Sequence, residues 1–330
     1  MKKFEVNDFI KKLLANYLIY TPKKIEGKVK VSLIERKEEI DWSGELPLNS
    51  FKVLFAPSQD EIGSFNKNKF NVDNLKPKAK IALGVNILDL QAFTLFEQVF
   101  EKDFYYQKRR QNTFVIGYSN GIESDFRKYK VFHQTFEEDI LEHLCFDVFI
   151  ERQKNNNFLF FAGSEKGQDL LEANGIDDFE NIEFAGLISE KGPNPRLNLN
   201  RSAVALSEND PLWDELANIC LSCGKCSIVC PTCFCFDSYD DFDTQKISKK
   251  RRWSSCFYPE FSETAGGVKD LDSVKKRLYF WYYHKFVRIP DEFTYFGCVS
   301  CGRCTKVCPV GINIQKNLQS LIGKQNIKKK

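Results

Sequence analysis

The sequence predicts two unlike parts: an α+β (or α/β) N-terminal domain over residues 1–200 and a mainly helical C-terminal domain over residues 201–330 built round cysteine. Three observations carry this expectation. At roughly 150 residues per domain, a chain of 330 residues has length for about two domains. Strand-length apolar runs alternate with helical periods up to about residue 200, the pattern of an α/β or α+β domain. Eleven of the twelve cysteines lie after residue 219, so the composition changes abruptly.

Taken in order, residues 1–20 carry apolar positions Phe4, Val6, Phe9, Ile10, Leu13, Leu14, Tyr17 and Leu18, interrupted by Glu5, Asp8, Lys11 and Lys12. That spacing reads as an amphipathic helix capped near Asn7, not as the continuous core of a signal peptide. Strands are expected at Phe51 to Phe55, Lys80 to Val85, Thr113 to Tyr118, Phe146 to Ile150 and Asn157 to Ala162, each an apolar run of strand length. Between them, Leu90 to Phe100 reads as a helix entered at Asp89, and Glu165 to Asn174 as one started by Ser164 and stopped by Gly175, since these residue types satisfy helix ends. The loop-like stretch Gly192 to Asn200 marks the boundary. Asp210 as N-cap and Pro211 at the first helical position start a helix running into Cys220. A further helix is expected from about Asp270 to Val287, stopped by Pro290.

Composition bounds the function. With 42% hydrophobic and 28% charged residues, the chain is too apolar to be disordered. Its formal charge of +3 exerts no global pull on nucleic acid or an anionic membrane. No stretch approaches the ~18 uninterrupted apolar residues of a membrane span, so a cytoplasmic protein with reduced thiols is expected. The sequence contains no G-x-G-x-x-G after a strand, no P-loop and no H-E-x-x-H. Its three histidines are scattered, which leaves no nucleophile and base pair to propose.

Cys220, Cys223, Cys226 and Cys230, followed by Pro231, form C-x2-C-x2-C-x3-C-P, and Cys298, Cys301, Cys304 and Cys308, followed by Pro309, repeat it. One copy signals a [4Fe–4S] cluster, because three closely spaced thiolates wrap one cluster and the fourth completes another. Soft thiolates match iron and sulfide, and Gly224 and Gly302 sit where the backbone must turn tightly. With the ligand exchange of two-cluster ferredoxins, Cys220, Cys223, Cys226 and Cys308 hold one cluster and Cys298, Cys301, Cys304 and Cys230 the other. Two zinc sites are the alternative, but zinc knuckles usually present paired C-x-x-C units, and the trailing C-P after a third and fourth cysteine is not required for tetrahedral zinc. The C-terminal part is therefore expected to be a dicluster, ferredoxin-like domain with an insertion over residues 231–297.

Other residues carry weaker readings. Cys233, Cys235 and Cys256 in the insertion, and Cys145 in the first domain, lack ligand-like spacing and read as structural thiols, with Cys233 and Cys235 close enough to a cluster to tune it. Lys249, Lys250, Arg251 and Arg252 beside Trp253 could bind a phosphate-bearing partner, although a solvated or docking face suits the near-neutral charge better. His284, among Tyr282, Tyr283, Lys285 and Phe286, reads as a packing residue.

The two cluster motifs, together with Cys230-Pro231-Thr232-Cys233-Phe234-Cys235, Cys308-Pro309-Val310-Gly311, Arg252-Trp253-Ser254-Ser255-Cys256, Ala265-Gly266-Gly267 and His284-Lys285-Phe286, resemble the β subunits of cytoplasmic [NiFe] hydrogenases (sulfhydrogenases) and the equivalent iron–sulfur subunits of anaerobic sulfite reductases. The likeness is specific over about residues 210–315. Upstream, Gly84-Val85-Asn86-Ile87-Leu88-Asp89-Leu90 resembles the family's G-V-R-x-C-D-L segment with Asn86 and Leu88 in place of Arg and Cys, and Ser119 and Asn120 stand where relatives carry a second cysteine-rich segment. The resemblance implies an electron-transfer protein that relays electrons between a flavin/NAD(P)-binding subunit and a catalytic subunit of the [NiFe] hydrogenase or sulfite reductase type. The Phe-rich first domain, which carries no motif of its own, is expected to dock a partner subunit. A sulfur- or disulfide-reducing enzyme using Cys233, Cys235 or Cys256 at a cluster edge, and a nucleic-acid binder using Lys249 to Arg252, are the competing readings.

Overall fold

The computed structural model describes residues 3–66, 69–72, 79–122, 140–187, 195–242, 247–293 and 295–328. Compactness divides the chain into Met1–Ala56 with Leu75–Ser189, and Pro57–Asn74 with Glu190–Lys330. Pro57–Asn74 thus groups with the second unit, which a single cut near residue 200 does not capture. The loop expected at 192–194 lies outside the described residues.

The first unit is a seven-stranded sheet in the order β2-β1-β5-β6-β7-β8-β9, formed by β1 (Leu18–Ile25), β2 (Lys28–Ile34), β5 (Lys80–Val85), β6 (Thr113–Ser119), β7 (Val148–Arg152), β8 (Phe158–Ala162) and β9 (Glu180–Asn181). β1, β5, β6 and β7 run parallel, and β2 and β8 pair antiparallel with β1 and β7. Helices α1 (Lys3–Asn16), α2 (Ile87–Val99), α3 (Phe104–Gln111) and α4 (Glu165–Ala173) accompany it. Val6, Phe9, Ile10 and Leu13 of α1 join Ile81, Leu83, Ile116, Val148 and Ile150 in one core with Leu170 and Leu171 of α4. Strands covered on both faces read as continuous apolar runs, which is why β5 and β6 were legible.

Two sequence expectations shift. Phe51–Leu54 is a 3₁₀ turn, entered where the Ser50 hydroxyl accepts from Lys52 N, and Phe55 packs on Phe93 and Tyr106. A short apolar run cannot by itself separate strand from buried turn. Helix α2 begins three residues earlier than expected, because Asn86 is the cap and its side chain accepts from Asp89 N at 3.0 Å. Ile87 through Phe96 are all buried, so no polar face marks the start.

Asp147 anchors the parallel edge of this unit. Its side chain is fully buried and accepts from Arg110 at 3.1 Å twice, from Val115 N at 2.7 Å and from the Ser164 hydroxyl at 2.8 Å, with Lys166 3.3 Å away. Burial would raise this carboxyl, but the Arg110 and Lys166 cations and the hydrogen bonds outweigh it and hold it below the usual aspartate value.

The second unit has a four-stranded antiparallel sheet in the order β10-β11-β3-β4, from β3 (Gln59–Asn66), β4 (Lys69–Val72), β10 (Phe236–Phe242) and β11 (Ile247–Trp253). The rest is helical: α5 (Pro195–Ala205), α6 (Leu212–Ile219), α7 (Lys225–Ile228), α8 (Val274–Tyr283), a π turn at His284–Arg288, α9 (Ile289–Phe293), α10 (Arg303–Val307) and α11 (Ile314–Lys328). Leu197 to Asn200, expected as loop, lie in α5. Trp213, Leu278, Trp281, Tyr282, Phe286 and Leu318 form its core with Cys256 and Cys298. Helix α6 begins at Leu212 with Pro211 in the N-cap position, one residue later than expected, and the Asp210 carboxylate accepts from Leu212 N at 2.9 Å. Pro290 does not stop the α8 helix. Proline removes the donor to the i−4 carbonyl and its ring displaces that carbonyl, and the wider π turn immediately before it absorbs the mismatch.

Removing one partner of a buried ion pair costs about 3–5 kcal/mol, so Asp147→Asn should lower unfolding stability by that order at pH 7. The depressed carboxyl stabilises above its unfolded value, near 3.9, and this is lost as pH falls through its folded value. The difference between wild type and variant in denaturant unfolding should therefore begin to shrink below about pH 4 and vanish only once pH lies below the lowered folded value.

Candidate metal centre

The two cysteine motifs fold into the same loop twice. Ser222 and Ser300 have φ of 48° and 57°, and Gly224 and Gly302 have φ of 70° and 73°. The backbone is thus left-handed at equivalent positions in both copies. Each glycine then opens a one-turn helix, α7 after Gly224 and α10 after Gly302, which carries the third cysteine. Repeated left-handed turns curl the chain so that successive side chains converge, and only glycine does this at no steric cost. At Gly224 close packing adds to the constraint: a Cβ would lie 2.6 Å from the Tyr258 ring and 2.9 Å from Ser255 Oγ, whereas at Gly302 it would meet nothing.

Electrostatic contacts link the thiols both within each motif and between the two. Cys220 feels Cys223 and Cys308, and Cys226 feels Cys220, Cys230 and Cys223. Cys298 feels Cys230 and Cys301, and Cys304 feels Cys230, Cys298 and Cys301. An open concavity is walled by Cys220, Cys223, Cys226, Cys304 and Cys308 with Phe257, Leu278 and Trp281. Backbone N–H groups already point at sulfur: Ser222 at Cys220, Ser227 at Cys226, Ser300 at Cys298, and Ile312 N at Cys308 Sγ, 3.3 Å away.

Burial pushes the Cys226 and Cys298 thiols up to about 12 and Cys304 well above its usual value. Sulfurs this buried become thiolates only when a soft cation replaces the proton. None of the twelve cysteines is in a disulfide. Among the described residues, no three His, Cys, Asp or Glu side chains crowd together as ligands of a single metal ion do. What fits an iron–sulfur cluster is the chemistry of the donors: two sets of soft cysteine sulfurs in the C-x2-C-x2-C-x3-C-P spacing.

Residues 219–312 match the 4Fe-4S dicluster domain. The chain is also 28% identical, over 317 residues, to the sulfhydrogenase 2 subunit beta of Pyrococcus furiosus, with 90% of this chain and 92% of that protein covered. This chain is a relative of the sulfhydrogenase β subunits. No solved structure matches it.

Around the dicluster domain, the remaining candidates fall into place. Each cation of the basic run on β11 faces a carboxylate: Lys249 pairs with Asp240 at 3.1 Å, Lys250 with Asp241, Arg251 with Asp60 at 3.1 Å and Arg252 with Asp237 at 3.3 Å. A run neutralised residue by residue offers little to phosphate. His284 lies edge-on to Phe234 and tilted against Phe280, and burial, then Lys285 and Arg288, lower it to about 4, so it packs as a neutral ring. Cys256 is buried beside Cys235 and Cys226, and burial raises its thiol. Cys145 belongs to the first unit; its thiol is raised to about 11 by burial.

Lys285 is the residue that sequence reading passed over as chemistry. It is buried, with Nζ 3.2 Å from Cys230 Sγ, 3.1 Å from Thr232 Oγ1 and 3.1 Å from Gly297 O. Burial alone would lower this ammonium, but Cys230, Cys233 and Cys298 and the hydrogen bond to Cys230 outweigh it and hold it well above the usual lysine value. The signal in the sequence was a lysine in an aromatic helix just before Pro290, and nothing at that level places it against a cysteine 55 residues away.

Gly302→Ala should cost about 1–2 kcal/mol, the backbone penalty for a left-handed alanine. Gly224→Ala should cost about 1–3 kcal/mol more through overpacking. Denaturant midpoints of the two variants, with iron content measured on the same samples, check the difference.

Proposed function

We propose that this chain is an electron-transfer subunit with two [4Fe–4S] clusters, one on Cys220, Cys223, Cys226 and Cys308 and one on Cys298, Cys301, Cys304 and Cys230. The observation that carries this reading is the pair of matching left-handed loops, each with three converging thiols and a fourth from the other motif in its neighbourhood. Bound clusters supply one-electron carriers without proton or group transfer. The protein's part is to hold their spacing, set their surroundings and choose which one meets a partner.

The two loops suit opposite ends of a relay. Cys223 is exposed, and Ile219 and Leu221 beside it are 48% and 65% exposed. Cys298 and Ser300 of the second loop are buried. The first loop thus presents an apolar, accessible edge suited to a partner protein. The partners we assign are a flavin/NAD(P)-binding subunit and a catalytic subunit of the [NiFe] hydrogenase or sulfite reductase type, in a cytoplasmic complex. Support comes from the sulfhydrogenase relative, and among the described residues no helix is long and apolar enough to cross a membrane. The first unit, with Leu33, Phe104, Leu159 and Phe184 exposed, is assigned to docking. Direct sulfur or disulfide reduction by Cys256 is disfavoured, because a reactive thiol is accessible with a lowered pKa and Cys256 is the reverse.

Anaerobically purified protein should contain about eight irons and eight acid-labile sulfides per chain; stoichiometric zinc without visible absorbance would overturn the assignment. Cys308→Ser should alter the spectrum of the cluster on Cys220, Cys223 and Cys226. A change confined to the cluster on Cys298, Cys301 and Cys304 would rule out the exchange of fourth ligands.

A further inference from the structure

Lys285 presents a complete donor set to a complete acceptor set. An ammonium has three N–H donors and no acceptor, and three acceptors lie within 3.2 Å of Nζ: Cys230 Sγ, Thr232 Oγ1 and Gly297 O. The Trp281 ring lies 5.6 Å away. The side chain leaves a π turn, a helix irregularity frequent at functional sites, and the backbone is pinned as well. A Cβ on Gly297 would come within 2.5 Å of Lys285 O, so glycine there lets the residue before Cys298 lie against the residue that reaches Cys230. A cation is buried at such a place only where an anion faces it, and the facing atom is a sulfur of the dicluster domain. Among the described residues no ammonium is hydrogen-bonded to Cys220, Cys223, Cys226 or Cys308: Arg277 acts on Cys220 through space and donates a hydrogen bond to Leu271 O at 2.8 Å.

We propose that Lys285 makes the two clusters unequal. Donating from a fixed positive charge to Cys230 Sγ, it raises the reduction potential of the cluster on Cys298, Cys301, Cys304 and Cys230 above that of the other, so that an electron entering the chain comes to rest on the buried loop. This rests on the ligand assignment given above. Reduction adds one electron and one negative charge to that site; no bond forms or breaks and no proton moves. The electron comes from a one-electron reductant outside the chain. Hydrogen bonds to cluster sulfurs and nearby positive charge both favour the more negative, reduced state, and charge-assisted bonds are the stronger kind. Lys285 is a positioning residue acting through Cys230. Its measurable property is a potential.

The test is a dithionite titration of the anaerobically purified full chain, followed by electron paramagnetic resonance, with iron and sulfide counted on every sample. Lys285→Met should keep eight irons and lower one of the two midpoint potentials by about tenfold in the reduction equilibrium, which is about 59 mV for a one-electron couple, while the other potential stays in place. Lys285→Gln, which keeps a donor without charge, should fall between. Unchanged potentials with iron retained overturn the proposal, and so does a shift confined to the cluster that Cys223→Ser perturbs. If Lys285→Met does not hold iron, the wild-type chain decides: the signal altered by Cys301→Ser must be the higher-potential one, and the reverse order overturns the proposal. A wild-type chain without two clusters overturns the ligand assignment itself, which the iron count reports separately.

Discussion

The second unit depends on one buried polar knot. Thr232 Oγ1 donates to Gly297 O at 2.7 Å, and Lys285 Nζ reaches both of these groups and Cys230 Sγ. Thr232 lies just after the first cysteine motif and Gly297 just before the second. The bond joins the end of one loop to the start of the other across a long insertion, and Lys285 supplies the charge that the sulfur needs. Polar groups in a low-dielectric interior are costly unless every partner is present. A geometry that satisfies all of them at once therefore fixes the register between the two motifs more sharply than apolar packing could.

The surrounding elements serve this junction. Trp213, Trp281, Tyr282 and Phe286 form an aromatic cluster that seats the α8 helix in the core. Ser227 and Ser255 share a buried hydroxyl contact at 2.6 Å, and Ser255 also abuts Gly224, tying the first loop to the insertion. The four-stranded sheet handles charge differently. Its cations and carboxylates face each other across β10, β11 and β3, mostly near solvent, where such pairs contribute little to stability but cancel the local field. The same principle appears in the first unit, where Asp147 gathers Arg110 and Lys166 under the parallel strands.

Much of this was legible locally. The strands Lys80–Val85 and Thr113–Ser119, buried on both faces, announced themselves as continuous apolar runs, and Ser164 capped α4 with its side chain accepting from Gly167 N at 3.2 Å. The misses share one physical cause. Phe51–Leu54 became a 3₁₀ turn, Leu197 to Asn200 became helix, and the strands β10 and β11 arose in a segment rich in like charges. In each case the outcome depends on packing or pairing outside the segment itself: Phe55, just after the turn, packs on the distant Phe93, and β10 and β11 set carboxylates against cations across a hairpin. The 30 phenylalanines contributed to this, because a helix such as α2, buried all round, loses the polar face that marks its period.

By itself the sequence determined the chemistry of the site. Eight cysteines in two copies of one spacing specify soft, closely wrapped ligands, and the glycines within them specify the left-handed turns, because both properties reside in a few consecutive residues. It carries no G-x-G-x-x-G fingerprint, P-loop or zincin motif. Tertiary structure alone decided which thiol neighbours which, that the basic run is neutralised by Asp60, Asp237, Asp240 and Asp241, and that Lys285 is an electrostatic partner of Cys230. The Asp60–Arg251 and Lys285–Cys230 pairs join residues remote along the chain, the other three pairs follow from the register of a hairpin, and a Coulomb interaction or hydrogen bond depends on separation in space, which no local spacing encodes.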